Sequence, residues 1–286
     1  MVSDFGERFR LTLLTNDAGF AKRAEDWGVD RIGLDLERLG KPERQYGEGL
    51  RLSNHRPEDL EGIAKVLKRA SPFARLNPIH PGTADEIEAL IGAGARVLML
   101  PYFRTAAEVE TFVRRVEGRA QAIILVETAS ALVRLRDILA VPGIDEVMVG
   151  LNDLRIELQV RNFFEVLSSP LLDGVAAQVR QKGLDFSLGG LARLDDASLP
   201  VPADLVLAQY PRLGATGAWL SRSFFRGLDP EDAGTAIRSL RQRLSEWATA
   251  SIESLESARD TLARRGQELG TVSSPDASER AGPKLG

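Results

Sequence analysis

The chain contains no cysteine in 286 residues. This excludes disulfides, thiolate metal sites and a cysteine nucleophile. Histidine is scarce, with His55 and His80 the whole supply. Positive charge is not in excess: 37 Lys and Arg stand against 41 Asp and Glu, for a net charge of −4. Both signs are mixed along the chain, so there is no basic footprint for nucleic acid and no polybasic membrane patch. Long apolar runs are missing too. None approaches the roughly 20 residues of a membrane span, and the opening MVSDFGERFR has no apolar stretch of the kind found in export signals. We therefore expect a soluble cytoplasmic protein whose 43% hydrophobic content supports one large core or two modest ones.

Short aliphatic or β-branched runs recur at Phe9–Thr15, Arg31–Leu36, Phe73–Leu76, Arg96–Leu100, Ala122–Val126, Glu146–Val149, Asp185–Leu188 and Asp204–Ala208. Segments of helical period separate them, among them Ala18–Trp27, Pro57–Ala70, Ala84–Ala93, Ala106–Val116 and Ala129–Leu139. Near-continuous apolar strands indicate a parallel sheet covered on both faces. Eight of them alternating with helices predict an α/β protein, a closed (β/α)8 barrel over residues 1–228. A doubly wound open sheet is the rival, but LLTNDAGF after the first strand lacks the glycine spacing of a dinucleotide fingerprint. Residues 229–268 read as a helical extension, with Leu240, Leu244, Trp247, Ile252 and Leu255 as an apolar stripe. Trp247 suits either internal packing or an oligomer contact. Residues 269–286 are small and polar, and are expected to be disordered.

Two strands run into acids: IILV leads to Glu127, and VMV leads through Gly-Leu-Asn to Asp153. All strand C-termini of a parallel barrel emerge on one face, and that face carries the site. Neighbouring strands lie about 4.8 Å apart, close enough for two carboxylates to share an ion. Hard oxygen donors suit Mg²⁺ or Mn²⁺. On spacing alone, a helix cap at Glu127 and a plain turn at Asn152-Asp153 serve equally well. GLDLER ends the second strand with Asp35 and Glu37 on one side, and ARLNP ends the third with Arg75 and Asn77 on one side. An arginine fork there would hold a substrate carboxylate or developing oxyanion; a salt bridge to Asp35 or Glu37 is the alternative.

Taken in order, GLDLER, RLNP, GARVLMLP, ILVETASAL and VGLNDL resemble the HpcH/HpaI aldolase/citrate lyase β-subunit superfamily. The resemblance spans about Phe9 to Phe225. It implies a pyruvate-type (β/α)8 barrel in which Glu127 and Asp153 bind Mg²⁺, Mn²⁺ or another divalent metal and Arg75 contacts substrate. The implied reaction is carbon–carbon cleavage or formation through a metal-bound enolate of a pyruvate-like 2-keto acid, with an aldehyde or acyl co-substrate. Citrate-lyase-like acyl-CoA cleavage or thioester hydrolysis is the alternative, as is a metal-binding barrel subunit without turnover. Family aldolases often carry a histidine after the second-strand glutamate, where this chain has Arg38. His55, in the following loop, becomes the candidate base, with Glu37 beside it and local hydrogen bonding as its other reading. His80 is expected to support the turn after Arg75. Asp35, Asn77, Pro101 and the Gly189-Gly190 pair are candidate substrate contacts, although Pro101 also reads as a strand stop and the glycines as an ordinary turn. The resemblance further implies a homo-oligomer, trimer or hexamer, with the helical extension at the subunit contact.

Overall fold

A computed structural model describes residues 4–44, 52–221 and 223–269. Eight parallel strands close into a barrel in chain order: β1 (Arg10–Leu14), β2 (Arg31–Asp35), β3 (Ser71–Arg75), β4 (Val97–Leu100), β5 (Gln121–Val126), β6 (Glu146–Val149), β7 (Asp185–Leu191) and β8 (Gly217–Leu220). β8 pairs back onto β1, which rules out the open doubly wound sheet.

The period of two along each strand sorts the side chains. Phe73, Val97, Met99, Ile123, Leu125 and Met148 fill the barrel interior, with Leu14 and Trp219 packed against them. Their neighbours Leu98, Ile124, Val126, Val147 and Val149 face outward into the main core under the helices. Below the apolar interior lies a polar floor. Arg31 meets Glu146 at 2.7 Å and Gln121 at 2.9 Å, and Ser187 donates to Glu146. Above it, Arg75 lies two residues beyond Phe73 and Glu127 two beyond Leu125, which aims both inward at the C-terminal mouth.

One strand is not where the sequence pattern puts it. Asp204–Leu207 is helical, within Ala203–Leu207, with Ala208 as the C-cap, and β8 is instead Gly217–Leu220. Val206 and Leu207 are buried as a strand's would be, but a short apolar run does not distinguish helix from strand by periodicity. The Gly189-Gly190 pair lies inside β7 rather than after it, at a register shift between Leu188 and Leu191. Ala129–Leu139 is broken into Ala129–Val133 and Leu135–Ile138, and the expected Pro57–Ala70 helix is confined to Asp59–Val66.

The extension forms two helices, Pro230–Ala248 and Ile252–Glu268. Ile237, Leu240 and Leu244 are buried, and Arg241 bolts the first helix to the barrel's N-terminal end. Its guanidinium donates to the carbonyls of Gly6 (2.6 Å), Phe9 (2.7 Å) and Gly28 (2.7 Å) and to Asp30 Oδ2 (2.8 Å). Trp247 is an internal packing residue: Nε1 donates to Asp204 Oδ1 at 2.9 Å, and Arg243 lies over its ring. Ile252 leaves the expected stripe and is 75% exposed. The second helix is tied down by Asn162 Nδ2, which donates to the Gly266 carbonyl at 2.8 Å. No helix among the described residues is long and apolar enough to cross a membrane. The tail from residue 270 lies outside the described residues.

Candidate active site

The mouth is organised around Arg75. Asp35 and Arg75 are register partners at the adjacent ends of β2 and β3. Arg75 Nε donates to Asp35 Oδ1 at 2.9 Å and Nη2 to Oδ2 at 2.8 Å, while Nη1 lies 3.0 Å from Glu37 Oε2. Both carboxylates are buried, at 0% and 1% exposure. Burial opposes the guanidinium charge, but Asp35 and Glu37, with a further contribution from Glu127, outweigh it and raise the Arg75 pKa above its usual value. Arg75 is therefore a permanent cation. Trp219 supports it from below with its ring 4.7 Å from the guanidinium carbon. Three of the five guanidinium N–H groups meet these acids among the described residues.

Lys41 completes the cluster. It is buried, with Nζ 3.0 Å from Glu37 Oε2 and 3.7 Å from Asp35 Oδ2. Among the described residues two acids thus meet two cations, and the arrangement fixes the plane of the guanidinium.

Glu127 follows β5 directly and is 1% exposed. Its Oε1 accepts the Tyr102 N–H at 3.0 Å. Its other oxygen lies over Gly150, where an added Cβ would sit 2.6 Å from Oε2. Asp153 is displaced from the strand end that the sequence suggested. It occupies the first turn of the helix Leu151–Glu157 and is 8% exposed. Glu127 thus leans across the backbone that leads into the helix carrying Asp153. No group of three His, Cys, Asp or Glu suited to a metal gathers among the described residues. Glu127 and Asp153 offer carboxylate oxygens, and the chain has no cysteine to add a thiolate. Such an all-oxygen pair fits Mg²⁺ or Mn²⁺, ions that keep much of their water and substrate shell.

The other candidates have local partners. His55 Nδ1 accepts the Asp35 backbone N–H at 3.0 Å, so its neutral ring carries the proton on Nε2. Arg38 holds the same loop through the carbonyls of Ser53 and His55. Asn77 Oδ1 accepts the N–H groups of Arg38 and Leu39, and its Nδ2 donates to Glu86. It latches the β2 loop to the β3 loop. His80 closes its own turn, accepting Gly82 N–H at Nδ1 and meeting Glu86 at Nε2. Pro101 is buried immediately after β4. Gly190, at φ +90°, lines an apolar cavity with Phe163, Phe164 and Val206. Sequence reasoning missed Lys41, Tyr102 and Trp219. Lys41 four residues beyond Glu37 is a signal that was available; Trp219 was hidden by the misplaced eighth strand.

A closed (β/α)8 barrel whose strand ends gather acids around a buried arginine belongs to the enzymes built on that fold. Residues 60–181, less than half of the chain, match the HpcH/HpaI aldolase/citrate lyase family. It is 25% identical over 185 residues to a hydroxypyruvate/pyruvate aldolase of Sagittula stellata, a match covering 53% of this chain and 72% of the relative. The same name belongs to a relative in Roseovarius nubinhibens, 25% identical over 181 residues, covering 51% of this chain and 68% of that one. Among solved structures, the citrate lyase β-subunit from M. tuberculosis, complexed with oxaloacetate and magnesium, superposes with a TM-score of 0.58 at 18% identity. That superposition covers 84% of this chain and 99% of the other. An HpcH/HpaI aldolase from Desulfitobacterium hafniense gives 0.58 at 16% identity, over 76% and 86% of the chains. These structural likenesses bear on the fold.

Proposed function

We propose that this protein is a divalent-metal-dependent carbon–carbon lyase of the aldolase type, acting on a pyruvate-like 2-keto acid through its enolate. The observation that carries the proposal is the placement of Arg75 and Glu127 at one barrel mouth, each two residues beyond an interior residue, Phe73 and Leu125. Aldolase-named relatives support the same class.

Glu127 and Asp153 would hold Mg²⁺ or Mn²⁺, which when bound supplies Lewis-acid polarisation of the substrate's keto oxygen. The chain's own residues do the rest. Arg75 directs its guanidinium at the oxygen on which negative charge develops. Asp35, Glu37 and Lys41 hold the fork in place, so no reorganisation is needed when that charge forms. His55 remains the candidate base. It takes a proton at Nε2 only by giving up the Asp35 N–H, so its use as a base and its hold on the end of β2 exclude each other. We also propose a homo-oligomer, trimer or hexamer, and mass in solution against the 31.2 kDa chain tests it.

The test of the activity is a retro-aldol assay of 4-hydroxy-2-keto acids with pyruvate detection, run on metal-stripped protein before and after Mg²⁺ or Mn²⁺ is restored. Pyruvate release that depends on added metal is expected. Release of free CoA from acyl-CoA substrates with no pyruvate formed would move the protein to the thioester chemistry of the superfamily.

A further inference from the structure

The geometry points to Tyr102 and Glu157 as positioning residues that brace Glu127 against Asp153. This inference rests on the metal-site reading of those two carboxylates. Tyr102 follows Pro101 in the loop after β4 and has φ +48°, a left-handed conformation that non-glycine residues seldom adopt. The chain turns sharply at this residue, and one side chain plus its own amide serve two partners. The amide donates to Glu127 Oε1 at 3.0 Å, and the phenol donates to Glu157 Oε1 at 2.7 Å. Arg104 lies over the same ring at 5.1 Å.

Glu157 is the last residue of the helix whose first turn carries Asp153. The two are four residues apart and share a helix face. The second carboxylate oxygen of Glu157 accepts the Ala129 N–H at 3.2 Å, two residues after Glu127. Glu157 therefore ties the Asp153 helix both to the loop that orients Glu127 and to the chain just beyond Glu127. A further buried bond, from Thr128 Oγ1 to the Phe103 carbonyl at 2.9 Å, locks these two loops to each other. The relative placement of the two carboxylates thus depends on a side chain that touches neither of them. Fixing it in advance spares an incoming cation the cost of organising its ligands.

The test is Mn²⁺ titration, followed by the EPR signal of the free ion, on the full chain and on Tyr102→Phe, Glu157→Gln and the double variant. Tyr102→Phe removes one oxygen atom, and Glu157→Gln keeps size and one acceptor, so either variant decides the matter if the other does not fold. Each single change is expected to weaken Mn²⁺ binding about tenfold with unchanged far-UV circular dichroism. The two effects should be less than additive in the double variant, because both act on the one network that joins Tyr102, Glu157 and Ala129. Lower melting temperature with unchanged Mn²⁺ affinity in the variants would overturn the brace while leaving the metal site standing. Failure of the wild-type chain itself to bind Mn²⁺ would overturn the metal reading and the brace with it.

Discussion

Asp35 and Arg75 face each other across the β2–β3 register and join through two hydrogen bonds of 2.9 and 2.8 Å at the open end of the barrel. A pair this buried makes a substitution of Arg75 report on stability and turnover separately. Arg75→Ala takes one buried cation away from Asp35 and Glu37, and is expected to cost about 3–5 kcal/mol. Arg75→Lys keeps a cation beside both acids and should retain most of that stability. An ammonium lacks the planar fork, however, and cannot keep Asp35 bidentate while offering donors to substrate. Its kcat should fall by about 100- to 1,000-fold with a smaller change in KM, because the charge it meets develops in the transition state. Full turnover in Arg75→Lys would mean that the arginine is a structural partner of Asp35 and nothing more.

Asp153 sits in a first helical turn, where the helix dipole favours an acid over asparagine by only about 0.3–1 kcal/mol. Asp153→Asn should leave the melting temperature nearly unchanged while removing an anionic oxygen from the proposed cation site. Outer-shell changes at metal sites already cost about 10- to 100-fold in affinity, and a direct ligand should cost no less. Calorimetric titration with Mg²⁺ reads this directly. Wild-type affinity in the variant would eliminate Asp153 as a ligand.

Acid should loosen the C-terminal extension before the barrel. Hydrogen bonding from Arg243, opposed by burial and reinforced by Trp247, holds the Asp204 pKa below its ordinary value. The folded pKa is depressed, so the contribution of this carboxylate is complete above its unfolded pKa of about 4. It is lost as pH falls through the lower folded value. Asp204→Asn should therefore be less stable near neutrality and show a shallower loss of stability below about pH 4. Thermal melts at stepped pH decide this; parallel curves for the two proteins would remove Asp204 from the acid response.

Much of the barrel was legible because its strands are short and apolar, and because period-two alternation places the residue two beyond an interior one on the same face. Phe73 to Arg75 and Leu125 to Glu127 follow that rule. β8 was not legible. Its four residues include a glycine and a half-buried tryptophan, while the nearby DLVLA run is apolar yet helical. The pairing of Arg75 with Asp35 was one of two open readings, and the structure shows that pairing. The burial of Lys41 and the left-handed Tyr102 depend on loops from different strands meeting, which no local pattern encodes.

Gly150 gives the sharpest steric test of the site. Its backbone, at φ −87° and ψ 87°, is open to an alanine without the strain of a left-handed residue. The obstacle is the Glu127 side chain, whose Oε2 and Cβ would lie 2.6 and 2.9 Å from the new methyl carbon. Gly150→Ala must therefore push Glu127 out of place or shift the strand end beneath it. Overpacking of this kind costs about 1–3 kcal/mol, and the displaced carboxylate should also weaken Mn²⁺ binding. Shortening the acid relieves the contact with Oε2 and leaves that with Cβ, so Gly150→Ala should cost measurably less stability in a Glu127→Asp background than in the wild-type chain. That difference is a coupling energy between two residues in contact, and thermal denaturation of the four proteins in the cycle measures it. Additive effects would place Glu127 away from Gly150 in solution and take the lean of its carboxylate towards Asp153 out of the mechanism.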